Sequence, residues 1–77
     1  MMEKELIKII NDLQEKINNL EVELEQHYIL KGRYLEAIDK KETGLGYEQG
    51  LNDMAIKGKK KIIGIYEELI KQIENLI

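Results

Sequence analysis

The sequence predicts an all-α protein: a long antiparallel helical hairpin with a coiled-coil-like N-terminal seam, assembling into a homo-oligomeric helical bundle. Three observations predict this class. Apolar residues recur at alternating steps of four and three in the first third of the chain, a Gly-rich break follows, and a second apolar stripe with helical spacing comes after it. No segment shows the apolar–polar alternation of a half-buried strand, and the chain contains no proline.

The first predicted helix covers about residues 2–42 and carries the clearest pattern. Its seam is Leu6, Ile10, Leu13, Ile17, Leu20 and Leu24. Leucine at the d positions with isoleucine at most a positions favours two-stranded coiled coils. Gly32 is unfavourable by about 1 kcal/mol relative to Ala inside a helix. A break near residues 31–33 is therefore an alternative, which would fold the chain into a three-helix bundle.

The break between the two helices is predicted at residues 43–46, where Gly44-Leu45-Gly46 favours a turn. Lys40 and Lys41 before it suit the negative end of a helix dipole. The second helix is predicted at about residues 47–77, so that residues 1–77 form a single helical domain. Its predicted stripe is Leu51, Ala55, Ile62, Tyr66, Leu69, Ile73 and Leu76, flanked by Ile63, Ile65, Ile70 and Ile77.

Self-association is expected because the chain is short. Seventy-seven residues without a cysteine build a core that supplies only roughly 3–5 kcal/mol. A turn centred on Leu45 would leave residues 2–12 beyond the end of the second helix. That overhang contains Leu6, Ile7, Ile9 and Ile10, and we expect a second copy, in a dimer or larger oligomer, to cover the seam.

Charge is concentrated in a way that suggests a binding site near the turn. Residues 31–61 carry eight Lys and Arg against five Asp and Glu, whereas the remainder carry four against ten. With the predicted turn, Gly32 would face Gly58 across the hairpin, each flanked by cations. The candidate ligand- or partner-binding residues are Lys31, Arg33, Lys57, Lys59, Lys60, Lys61, Tyr28 and Tyr34.

This basic cluster has three interpretations. Arg pairs with phosphate in a bidentate way, Lys adds point charge and Tyr stacks on bases, so the cluster suits a small anionic, nucleotide-like ligand. It equally suits a protein-contact surface, or a solvated helix face. The Gly44-Leu45-Gly46 break is interpreted as a turn, because it lacks the strand and the further spaced residues of a phosphate-binding loop.

Composition argues against several other classes. The chain has no Cys or Ser and a single His, so we expect no enzymatic activity, no catalytic residues, no metal and no cofactor. We interpret His27 as a polar seam residue that fixes register. The acidic start does not resemble a secretory signal, no apolar run approaches the ~20 residues of a membrane span, and the expected location is the cytoplasm.

A short phrase carries the only resemblance in the chain. Residues Gly46-Tyr47-Glu48-Gln49-Gly50-Leu51-Asn52-Asp53-Met54 resemble a helix-opening phrase of small phage and mobile-element proteins. The resemblance covers nine residues and implies an accessory or anti-defence factor in a host cytoplasm. Function is therefore expected to be non-catalytic docking of a homo-oligomer on a host or phage protein. The alternatives are a sponge for an anionic, nucleotide-like ligand and a DNA-binding regulator, which the net charge of −3 disfavours.

Overall fold

Two long antiparallel helices form the molecule. The computed structural model describes residues 2–39 and 46–77. Helix α1 spans Met2–Asp39 and helix α2 spans Gly46–Glu74, and together they make a rod of 60 × 15 × 13 Å. The predicted all-α hairpin is confirmed. The predicted turn residues Thr43, Gly44 and Leu45, and the cations Lys40 and Lys41, lie outside the described residues.

Helix α1 runs without interruption through Gly32. The alternative of a break near residues 31–33, with a third helix, is therefore wrong. Neighbouring turns supply enough hydrogen bonds and packing to absorb the propensity loss of one glycine. Charges at the helix ends also agree with the helix dipole, with Glu3 and Glu5 in the first turn of α1 and Lys71 in the last turn of α2.

The core is a narrow seam along the contact between the helices. Among the described residues, five hydrophobic side chains are buried in it: Ile17, Leu24, Ile56, Ile63 and Ile70. Partly buried residues pack against it: Ile10, Leu13, Leu20 and Tyr66. Burial in α2 follows steps of three and four, and we call this set the inner stripe: Asn52, Ile56, Lys59, Ile63, Tyr66, Ile70 and Ile73.

The predicted apolar stripe of α2 has the wrong phase. Leu51, Ile62, Leu69 and Leu76 are exposed. The residues that follow the first three of them, Asn52, Ile63 and Ile70, are buried. One residue is a rotation of about 100° around a helix. Only Tyr66 and Ile73 belong to both sets. The apolar residues of α2 cover two adjacent faces, so spacing alone did not identify the face that meets α1.

The predicted oligomer interface lies mostly inside the chain's own core. Ile17 is only 2% exposed and Leu24 is buried, both against α2. Ile10, Leu13 and Leu20 pack on the same core, and Leu6 is half-buried. Apart from Leu6, these side chains are not a free surface for a second copy, because they pack in or against the core that α1 shares with α2.

The helices are also shifted along each other relative to the predicted register. Lys31 was expected opposite Lys59. Instead Lys31 pairs with Asp53, and Lys59 reaches back to Glu23 and His27. The end of α2 therefore extends further along α1, and Ile10, expected to overhang, packs on the core.

Candidate functional site

A second apolar stripe on α2 is the most distinctive surface of the molecule. Its helical members share one face at steps of three, four and seven residues, and Leu76 follows just beyond the end of α2. We call the set the outer stripe: Leu51, Ala55, Ile62, Ile65, Leu69 and Leu76. All but the half-buried Ala55 are exposed, Leu51 by 49% and Ile65 by 50%. Apolar residues that recur with this spacing are typical of a helix face that packs on another helix.

The outer stripe borders one edge of the contact between the helices. Ile62 is three residues after Lys59 and four before Tyr66, so the three side chains share one side of α2. There α1 contributes Glu23, with a carboxylate oxygen 3.7 Å from the Lys59 ammonium. It also contributes Lys16, whose ammonium lies 5.9 Å from the centre of the Tyr66 ring. Ile62 remains exposed beside these contacts.

The opposite edge of the hairpin is charged rather than apolar. On α2 it carries residues seven apart: Asp53, Lys60, Glu67 and Glu74. Lys60 places its ammonium 5.4 Å from the centre of the Tyr28 ring of α1, and Asp53 is 3.7 Å from the Lys31 ammonium. Such exposed pairs contribute about 0–1 kcal/mol each, so this edge is a solvated surface with weak cross-links.

A polar layer interrupts the apolar core between His27 and Asn52. Asn52 is 7% exposed, the only polar residue classed as buried among those described. Its amide nitrogen donates to the His27 backbone carbonyl at 2.9 Å, and its amide oxygen lies 2.8 Å from His27 Nδ1. On the other side of the ring, Lys59 Nζ is 2.7 Å from His27 Nε2. The predicted polar seam residue thus lies in the seam, with partners on both ring nitrogens.

The hydrogen-bond geometry assigns the tautomer of His27. An ammonium only donates, so Lys59 requires a lone pair on Nε2. The ring proton then lies on Nδ1 and is donated to the Asn52 amide oxygen, while the Asn52 amide nitrogen remains free to donate to the backbone. A neutral ring satisfies every member of this layer. The arrangement is specific, because an apolar residue at either position would leave a buried partner without a hydrogen bond.

The predicted basic cluster does not form one site. Three of its cations already have partners within the hairpin: Lys31 with Asp53, Lys59 with His27 and Glu23, and Lys60 over Tyr28. Each cation is therefore partly neutralised or used to hold the two helices together.

The other predicted site residues are dispersed around the rod. Arg33 is two residues from Lys31 and so about 200° around α1 from it. Lys57 and Lys61 are exposed, and Tyr34 is half-buried. Gly32 and Gly58 were expected to face each other, but a side-chain carbon added at either would meet no atom within 4 Å. Both positions are open to the outside of the hairpin, because Gly32 and Gly58 lie off the helix faces that meet.

The clearest concavity also lacks the expected charge. It is an open groove on α1 alone, lined by Glu21, Leu24, Glu25, Tyr28 and Ile29. Two carboxylates at its rim make it unsuitable for a phosphate or another anion. Of the predicted site residues it contains only Tyr28.

Sequence reasoning missed Asn52 and misplaced the outer stripe. Asn52 falls four residues before Ile56, in step with Ile63 and Ile70, so its place in the seven-residue repeat is visible in the sequence. The residues of the outer stripe were recognised as apolar and helical, but were assigned to the core. A helix with two apolar stripes can pack against two other helices. Within one hairpin, α1 covers only one of the two stripes.

No known protein helps to assign this surface: neither family models, nor curated proteins, nor solved structures contain a match to the chain. Among residues 2–39 and 46–77, no group of three or more His, Asp or Glu side chains is placed to hold a metal ion. Within the same residues, no helix has an apolar stretch long enough to cross a bilayer.

Proposed function

We propose that the chain is a non-catalytic binding protein, a helical hairpin that self-associates and docks on other polypeptides through the outer stripe of α2. The observation that carries this proposal is the exposure of Leu51, Ile62, Ile65 and Leu69 in a regular row on one face. Contiguous apolar surface of this kind on a small protein marks an interaction site. The coiled-coil-like assembly expected from the sequence is thereby proposed for α2 rather than for the N-terminal seam.

The chemistry of the stripe defines the kind of partner. Within α2 the row extends from Leu51 to Leu69, about 27 Å along the helix, and consists of aliphatic side chains. A second helix with aliphatic residues at the same spacing fits it best, since side chains of two such faces interdigitate. An accessory role in a phage or mobile element, including an anti-defence role in the host cytoplasm, is the setting that the Gly46–Met54 phrase implies.

Site-specific photo-crosslinking tests this function. A photoreactive amino acid replaces Ile65 on the outer stripe or, as a matched control, Val22, which is 60% exposed on α1 outside the stripe. After irradiation in cells that express the protein, position 65 is expected to give discrete protein adducts and position 22 few. Equal adduct yields at the two positions would contradict the proposed binding surface.

A further inference from the structure

We infer that the outer stripe of α2 binds the outer stripe of a second copy, antiparallel and across a two-fold axis near residues 63 and 64. This inference rests on the proposed function, because it names the occupant of the same surface. A two-fold interface uses one patch twice, so the patch must complement itself when reversed. Shape and charge along α2 both meet that requirement.

The first argument is the match of side-chain sizes in the reversed stripe. With the axis between residues 63 and 64, Ile62 faces the second copy's Ile65. Leu69 faces the second copy's Gly58, a position where an added side-chain carbon would meet no atom of its own chain within 4 Å. The largest gap in the stripe therefore coincides with a large side chain from the other copy, as in a packed helix interface.

The second argument is the charge beside the stripe. Lys61 and Glu68 are exposed, seven residues apart, on the flank of α2 next to the stripe. Among the described residues, the ion pairs are Lys31–Asp53 and Lys59–Glu23, and neither involves Lys61 or Glu68. Reversal about the axis places each Lys61 two residues, about 3 Å along the helix, from the level of the other copy's Glu68 on the same flank. Two favourable pairs are therefore within reach. A parallel arrangement would instead put the two equivalent flanks on opposite sides of the interface, so that neither Lys61–Glu68 pair could form.

The third argument is the small core of a single chain. Five buried hydrophobic side chains among the described residues are few for 77 residues, and chains of this size commonly gain stability by oligomerisation. A dimer through the outer stripe would bury the exposed aliphatic row without changing the contact between α1 and α2. A different protein would need the same pattern of side-chain sizes and charges as the outer stripe. A second copy has this pattern because its sequence is identical.

Engineered cysteines test the orientation directly, since the chain contains none of its own. Lys61→Cys and Glu68→Cys chains of distinguishable mass are unfolded, mixed, refolded and treated with a short bismaleimide. We expect the mixed 61–68 product to dominate, with little product from either variant alone. Dominant 61–61 and 68–68 products, or no preference for the mixed product, would contradict the antiparallel register and overturn the inference.

Charge reversal tests the same geometry in solution. Lys61→Glu places like charges together twice and should raise the dimer dissociation constant roughly tenfold, and adding Glu68→Lys should restore it. Lys8→Glu, the same change on the exposed surface of α1, is the control and should have little effect. No weakening, or no restoration, would overturn the antiparallel pairing.

The oligomeric state of the wild-type chain separates this inference from the proposed function. A wild-type chain that remains monomeric at high micromolar concentration would overturn the second copy as occupant. The other part of the proposed function, docking on other polypeptides, would survive that result if the photoreactive group at position 65 still formed adducts with a different protein. It would fail if position 65 reacted no more than position 22.

Discussion

The inner and outer stripes of α2 have the same spacing and similar apolar content, yet only one of them is covered. The inner stripe holds Ile56, Ile63 and Ile70 against α1, whereas the outer stripe leaves Ile62, Ile65 and Leu69 exposed. The two rows are offset by a single residue over part of their length. Seven-residue spacing therefore defines which side chains share a face, but not which face meets the rest of the chain.

Polar residues explain why α1 packs on the inner stripe. His27 interrupts the seam of α1, and its ring nitrogens and backbone carbonyl need partners when the helices pack. The inner stripe supplies Asn52 and Lys59 at that level. The outer stripe offers Leu51 and Ala55 nearby, which have no side-chain hydrogen-bonding groups. The outer stripe is thus suited to a partner without such a polar group, such as the aliphatic row of another α2.

The largest effect is expected from truncating the inner stripe. Ile63→Ala should lower the free energy of unfolding by about 2–4 kcal/mol, because it leaves a cavity in the core. Ile65→Ala, two residues away on the outer stripe, should lower it by less than about 1 kcal/mol in dilute, monomeric protein. Urea denaturation followed by circular dichroism measures both. Equal losses would show that the two stripes are not distinct.

An intermediate effect is expected from the polar layer. Asn52→Leu should lower the free energy of unfolding by about 1–3 kcal/mol, because the His27 Nδ1–H loses its acceptor. Adding His27→Leu should recover part of that loss, since the layer becomes apolar. A double-mutant cycle measured by urea denaturation gives the coupling between the two residues. Strictly additive losses would contradict the polar layer.

The smallest effect is expected at Asp53, the exposed residue next to Asn52. Asp53→Asn removes the ion pair with Lys31, in which both side chains remain largely solvated. The free energy of unfolding should fall by less than about 1 kcal/mol, and the difference should shrink at high salt. Thermal unfolding at low and high salt measures it. A loss as large as that of Asn52→Leu would mean that the pair is buried.

The hairpin class was predictable from the sequence, because the apolar residues of α1 recur at steps of four and three from Leu6 to Leu24. Ile17 and Leu24 were identified as seam residues, and both are buried. The assignment of the seam to a second copy failed at the register of α2, which depends on the turn and on His27 finding Asn52. Periodicity contains neither piece of information.

The predicted basic cluster failed for the same reason. Its residues are close in sequence, but Lys31 and Arg33 point to different sides of α1, and the shifted register gives Lys59 to His27 and Glu23. A site assembled across a hairpin requires the register to be known to within one residue. The His27–Asn52 match would have supplied that register, had Asn52 been recognised as part of the seam.

Sedimentation equilibrium of three proteins tests the central claim, that the outer stripe is the interface between two copies of the chain, most directly. The wild-type chain should sediment at twice its mass of 9.0 kDa, and so should Val22→Glu, which carries the same change on exposed α1 surface. Ile65→Glu should sediment as a monomer while keeping the helical circular dichroism of the wild type. A wild-type monomer, or an Ile65→Glu dimer as stable as that of Val22→Glu, would contradict the claim.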